Sequence, residues 1–240
     1  KKAVIESIGI ATKEIDMNVH KGEHKRMGAT DVVPFLPIQE MTTEECNEIS
    51  REVGKAVWEK FKLPVFLYES TATAPNRVSL PDIRKGEYEG MAEKLKQPEW
   101  APDFGERAPH PTAGVTAVGC RMPLIAFNIN LATTDMSIPK EIAKDIRFSS
   151  GGFRFIQAGP AEILDKGFVQ VTMNIKDYTK NPIYRIMETV KMEAKRWGVK
   201  VTGCEIIGAT PFASLTDSLK YYLACDGIKD DVDAMSMEKV

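Results

Sequence analysis

The stretch GFVQVTMNIKDYTKNPIYRIMETVKMEAKRWG (167–198) decides the fold class. After Gly167, Val169, Val171, Met173 and Ile175 alternate with polar residues, the pattern of a strand with one face buried and one face polar. Ile183, Ile186, Val190, Ala194 and Trp197 then recur at helical spacing, with Asn181 as cap, Pro182 at the first helical position and Gly198 as the stop. Upstream of this strand and helix lie strand signals at 115–120 and 123–131, a helix capped by Ser137 that runs through Arg147, and a strand at 153–158. A strand at 199–207 and a helix at 211–224 lie downstream. The order βαββαβ specifies a ferredoxin-like lobe, an antiparallel sheet covered by helices on one face.

The first half is organised differently. Val4, Ile8, Ala11 and Ile15 mark an amphipathic helix, and DVVPFLPI (31–38) is strand-like but holds Pro34 and Pro37, which suits an edge. Thr42 and Glu45 match a capping box ahead of Cys46, Ile49, Val53, Val57 and Phe61, and Pro64 opens the short strand PVFLYE. Between 70 and 113, prolines at 75, 81, 98, 102, 109 and 111 predict a long loop region with at most short helices, one near Tyr88 to Lys96. The expected class is α+β: two lobes of antiparallel or mixed sheets covered by helices, residues 1–113 and 114–240.

The chain has 240 residues, 43% hydrophobic and 28% charged, with 32 basic against 34 acidic side chains and a net charge of -2. That composition excludes disordered and collagen-like chains, and the charge gives no global footprint for nucleic acid. The longest apolar run, PLIAF (123–127), is strand-sized, so no membrane partner is expected. Cys46, Cys120, Cys204 and Cys225 form no CxxC pair, which points to reduced thiols and a cytoplasmic setting. The chain opens Lys1-Lys2-Ala3 straight into helical periodicity, so it is expected to be a piece lacking a preceding segment.

Two of the three histidines, His20 and His24, fall in the loop HKGEHKRMGATD (20–31). His24 stands between Glu23 and the cations Lys25 and Arg26, with Gly22 and Gly28 permitting close backbone approach to a ligand. Imidazole beside a carboxylate suits a proton shuttle, and the adjacent cations suit an anionic substrate. His20, Glu23 and His24 also spell H-x-x-E-H, a zinc-site spacing that needs a helix. Gly22 interrupts it, and no metal is expected. No GxSxG, GxGxxG or GxxxxGK segment occurs. Two further candidates are PEWAPDFGERAPHPTAG (98–114), with Trp100 and Phe104 for stacking and Asp103 and Arg107 for polar contacts, and FNIN (127–130), whose Asn128 and Asn130 share one strand face and require partners in loop backbone or ligand.

The blocks GEHKRMGATDVVPFLPI (22–38), PVFLYE (64–69), IRKGEYEGM (83–91), PEWAPDFG (98–105) and LIAFNINL (124–131) together resemble the formiminotransferase domain family. The resemblance implies transfer of a formimino group from N-formimino-L-glutamate to N5 of tetrahydrofolate in histidine degradation, with tetrahydrofolate as co-substrate. It places the family's catalytic histidine on His24. It places the folate-binding segment on Gly105, Glu106, Arg107, Ala108, Pro109, His110, Pro111, Thr112, Ala113 and Gly114. The family commonly has proline where this chain has Lys25. Lys25 and Arg26 are candidates for the substrate carboxylates, and a homodimer is what the family carries. Alternative readings are a related folate enzyme acting on 5-formyltetrahydrofolate and a folate-binding protein without turnover.

Overall fold

The computed structural model describes residues 1–21, 25–38, 40–163 and 166–225. They form two compact units, Lys1–Arg121 and Met122 onward. Helix α1 (Lys2–Glu14) opens the first unit, followed by strand β1 (Val32–Phe35), helix α2 (Thr43–Phe61) and strand β2 (Val65–Leu67). Helices α3 (Leu80–Arg84) and α4 (Glu87–Leu95) and strand β3 (Thr116–Cys120) complete it.

The sheet has the order β1-β3-β2 and both pairings are parallel. Parallel neighbours need crossover connections, and those crossovers cover both faces. On one face Val65 and Val118 pack with Ile8 of α1 and Val53 and Val57 of α2. On the other, Phe66 and Ala117 pack with Ile83 of α3 and Met91 and Leu95 of α4. The capping box forms as expected, Glu45 N donating to Thr42 Oγ1 at 3.2 Å and Thr42 N to Glu45 Oε2 at 2.7 Å. β1 is an edge strand, which is where its Pro34 is tolerated.

Two expectations change in this unit. Its sheet is parallel throughout rather than antiparallel or mixed. The strand Thr116–Cys120, assigned from sequence to the second lobe, hydrogen-bonds between β1 and β2, so the division falls after Arg121 rather than after residue 113.

The second unit comprises β4 (Ile125–Leu131), α5 (Ser137–Ile146), β5 (Ile156–Ile163), β6 (Phe168–Ile175), α6 (Ile183–Arg196), β7 (Val201–Ile207) and α7 (Phe212–Leu223). The βαββαβ order is present, and the sheet, ordered β5-β6-β4-β7, is antiparallel at every pairing. Ile125, Phe127, Ile129 and Leu131 of β4 and Val169, Val171, Met173 and Ile175 of β6 share one face, buried under Ile138, Ile142 and Ile146 of α5 and Ile186 and Val190 of α6. The opposite face carries Asn128, Asn130, Gln170 and Thr172 in register. Ser137 is the first residue of α5 rather than its cap; Asp135 Oδ1 accepts from Ser137 N at 2.9 Å instead. Among the described residues no helix is long and apolar enough to cross a membrane.

Candidate active site

Gly22, Glu23 and His24 lie outside the described residues. The chain on either side of them is held by one segment. On the N-terminal side Met17 N donates to Thr112 O at 2.7 Å and Asn18 Nδ2 to Pro111 O at 3.0 Å. The Tyr88 hydroxyl, from α4, reaches the same two groups, Asn18 Oδ1 at 2.9 Å and Pro111 O at 3.0 Å. On the C-terminal side Val115 N donates to Met27 O at 3.1 Å and Ala29 N to Ala113 O at 2.9 Å, with Gly28 bridged to Gly114. Both ends of the His24 loop are therefore fastened to residues 111–115, although between 84 and 95 positions separate the partners in sequence.

Glycine is required at this junction for contact with the protein itself. A Cβ on Gly28 would lie 2.0 Å from the Val115 carbonyl oxygen, and one on Gly114, whose φ is +70°, would lie 2.3 Å from that of Met27. The space at Gly28, read from sequence as room for a ligand, is filled by the backbone of Ala113 and Val115.

Within the segment called folate-binding, Gly105, Glu106, Arg107 and Ala108 are exposed, Pro109, His110 and Thr112 are half-buried, Pro111 is exposed, and Ala113 and Gly114 are buried. His110 N and O pair with Gly114 O and N at 2.9 and 3.1 Å, closing a tight turn. Inside the turn His110 Nδ1 accepts from Ala113 N at 3.1 Å and Thr112 N at 3.3 Å. Two donors on Nδ1 assign the proton to Nε2, and burial lowers the imidazole pKa, so the ring is neutral.

The two basic candidates separate. Arg26 is mostly buried and binds Glu89 (Nη2 to Oε1, 2.6 Å) and Glu87 (Nη1 to Oε2, 3.3 Å), and its hydrogen bond is the main reason the Glu89 carboxyl drops to about 2. Its backbone carbonyl accepts from Tyr88 N at 3.0 Å. With two carboxylates already matched, Arg26 fixes the loop to the start of α4. Lys25 is exposed and lines a cavity with Arg84 and Lys85.

His20 lies beyond the end of α1 at Glu14, in no helix, and Asp16 N approaches its Nδ1 at 3.2 Å. The helical frame that an H-x-x-E-H zinc site needs is not present at His20 or Lys21. Among the described residues no group of three or more His, Cys, Asp or Glu could hold a metal.

The residues of 98–104 are engaged within the first unit. Trp100 stacks edge-on against Phe66 and lies 3.8 Å beneath the Lys94 ammonium. Phe104 packs against Gly54 and Val65. Asp103 binds Arg77 at 2.8 Å with both side chains under 10% exposed, and accepts from Leu67 N at 2.8 Å and from the Thr73 hydroxyl. Sequence reasoning missed Arg77 and Lys94, whose ammonium donates to the carbonyls of Asp82, Ile83 and Lys85 at 2.5, 2.7 and 3.2 Å. Burial lowers the Lys94 pKa to about 8. A charged residue on the apolar side of a short helix is the only signal that could have pointed to it. Asn130 is met by a neighbouring strand rather than by loop backbone: Gln170 Nε2 donates to its Oδ1 at 2.7 Å and to Glu205 Oε2 at 3.1 Å, a polar row on the sheet face opposite the core.

Comparison with known proteins places this geometry. The profile described as "Formiminotransferase domain, N-terminal subdomain" matches residues 1–121, and that described as "Formiminotransferase domain" matches residues 126–236. The chain belongs to the formiminotransferase domain family. It is 49% identical over 223 residues to a glutamate formimidoyltransferase of Streptococcus pyogenes, covering 93% of this chain and 75% of that protein. A second glutamate formimidoyltransferase, from Thermoplasma acidophilum, is 42% identical over 230 residues, 95% of this chain and 76% of its own length. The mouse formimidoyltransferase-cyclodeaminase is 38% identical over 222 residues, 90% of this chain but 40% of the larger protein. The boundary between the two matched formiminotransferase subdomains coincides with the division of the structure after Arg121.

Proposed function

We propose that this formiminotransferase domain moves the formimino group of N-formimino-L-glutamate to N5 of tetrahydrofolate, with His24 as the proton shuttle. The observation that carries the reading is the 49% identity to a glutamate formimidoyltransferase over 93% of the chain. The anchoring of the His24 loop supports the role of that residue. A shuttling imidazole must keep its position relative to both nitrogens, and the chain on either side of the loop, at Met17 and at Met27–Ala29, is hydrogen-bonded to Thr112, Val115 and Ala113, in or next to the segment assigned to folate.

The chemistry needs one proton removed and one delivered. Folate N5 attacks the amidine carbon, and neutral His24 takes the N5 proton as the new C–N bond forms. The tetrahedral intermediate collapses by breaking the bond to the glutamate nitrogen, which receives that proton from the imidazolium. One imidazole serves as base and then acid, and no redox partner is required. Reduced thiols are in keeping with a cytoplasmic setting: Cys46 and Cys120 are buried side by side, and burial, with Cys120 adjacent, pushes the Cys46 thiol up to about 12, far from reactive.

The test is a transfer assay with formiminoglutamate and tetrahydrofolate. Glutamate and formimino-tetrahydrofolate are expected in equal amounts. Turnover of 5-formyltetrahydrofolate in place of this pair, or folate binding without transfer, would refute the proposal.

A further inference from the structure

One cavity of the first unit has no part in the scheme above. Lys25, Pro81, Arg84, Lys85, Gly86 and Glu87 line a hollow of about 250 Å³. Its wall carries three cations and one carboxylate, and that carboxylate is engaged, Glu87 accepting from Arg26 at 3.3 Å. Arg84 is held from behind by Asp31, whose Oδ2 takes the Arg84 Nε at 2.7 Å, while Asp31 Oδ1 accepts from Met27 N at 2.8 Å. Among the described residues Lys25 and Lys85 enter no ion pair, and both are exposed. The hollow is thus a basic cavity with two unneutralised ammonium groups, and it begins at the residue that directly follows His24 in the chain.

We infer that this cavity receives a glutamyl carboxylate of a substrate, held by Lys25 and Lys85, with Arg84 and its Asp31 partner fixing the wall. The inference rests on the transfer reading, in which the anionic groups that both co-substrates offer are the carboxylates of a glutamate unit. The volume lies below the ~300–1,000 Å³ of pockets that enclose a whole ligand, which suits one charged end of a molecule rather than its ring system. Strong basic lining without an aromatic wall fits the same end. Two sources share that chemistry: the carboxylates of formiminoglutamate and the glutamate tail of the folate.

Steady-state kinetics on Lys25→Ala, Lys85→Ala and the double variant separate them. Each co-substrate is varied at saturation of the other, the folate as mono- and triglutamyl tetrahydrofolate. Each single variant is expected to raise one KM about tenfold, the loss of one charge-assisted contact, with kcat within about twofold; the double variant should raise the same KM further. A rise in the formiminoglutamate KM assigns the cavity to the donor. A rise confined to the folate, larger for the triglutamyl form, assigns it to the tail. Both KM values unchanged, or a fall in kcat alone, would overturn the inference. Both lysines are exposed, so the melting temperatures should match wild type; a wild-type protein that does not transfer would instead refute the underlying reading before any variant is made.

Discussion

Gly114→Ala and Gly90→Ala are the same chemical change and should have opposite effects. At Gly114 the added methyl points at the Met27 carbonyl oxygen, 2.3 Å away, with Tyr88 Cδ2 at 3.0 Å and Gly28 Cα at 3.1 Å. The backbone there has φ +70°, which costs an alanine ~1–2 kcal/mol. Backbone cannot move aside as a flexible side-chain end can, so the Val115 N–H to Met27 O bond must lengthen or break, ~1–3 kcal/mol for a buried pair. The stiffer unfolded chain returns ~0.4–1 kcal/mol, leaving a net loss of about 1–4.5 kcal/mol. Gly90 lies inside α4, with nothing within 4 Å of a built Cβ, so alanine should stabilise by ~0.5–1 kcal/mol through helix propensity. Urea unfolding followed by the fluorescence of Trp58 and Trp100, both in the first unit, reads the difference as opposite shifts in midpoint. A Gly114→Ala midpoint within ~0.5 kcal/mol of wild type, or equal losses in both variants, would refute the close approach at the Met27–Gly114 junction.

Asp103→Ala should cost ~3–5 kcal/mol in the same titration, because it strands the buried Arg77 guanidinium and the Leu67 amide; a loss below ~1 kcal/mol would show the pair to be solvated. Thr42→Ala should cost ~1 kcal/mol by removing the cap of α2, and a neutral result would contradict the capping box. Burial lowers the His110 pKa below its usual ~6.5, so between that lowered value and ~6.5 the unfolded chain binds more protons than the fold. Stability should therefore rise with pH across this window and fall as pH drops through it. Comparing unfolding midpoints at several pH values checks this: His110→Asn, whose side-chain oxygen can accept from the same Thr112 and Ala113 amides, should flatten the dependence, and an unchanged slope would exclude His110 as its source.

Most of the elements were legible in the sequence because their cores are periodic: the odd-numbered residues of β4 and β6, the α2 stripe behind a reciprocal cap, the α6 stripe behind Pro182. In the stretch from 70 to 113 the helix near Tyr88 to Lys96 was legible and is α4 (Glu87–Leu95), but the rest was not, because polar contacts organise it. Arg77 meets Asp103, and Lys94 crowns the carbonyls at the end of α3, none of which leaves a hydrophobic pattern. The Thr116–Cys120 strand was seen but given to the wrong lobe, since alternation shows that a strand exists and not which sheet it joins. At the site, the loop of His24 and the segment ending at Gly114 were each visible from local composition. Their meeting was hidden, as it depends on two glycines whose backbones touch across the fold. The Lys85 wall of the basic cavity gave no local signal at all.

The most direct test of the central claim compares wild type with His24→Asn at saturating formiminoglutamate and tetrahydrofolate, following glutamate release while folate affinity is titrated on the same preparations. Removal of a general acid–base group should slow transfer by ~10²–10⁴-fold and leave folate binding within about threefold. Transfer at the wild-type rate in His24→Asn, or activity lost only in step with folate affinity, would contradict the account.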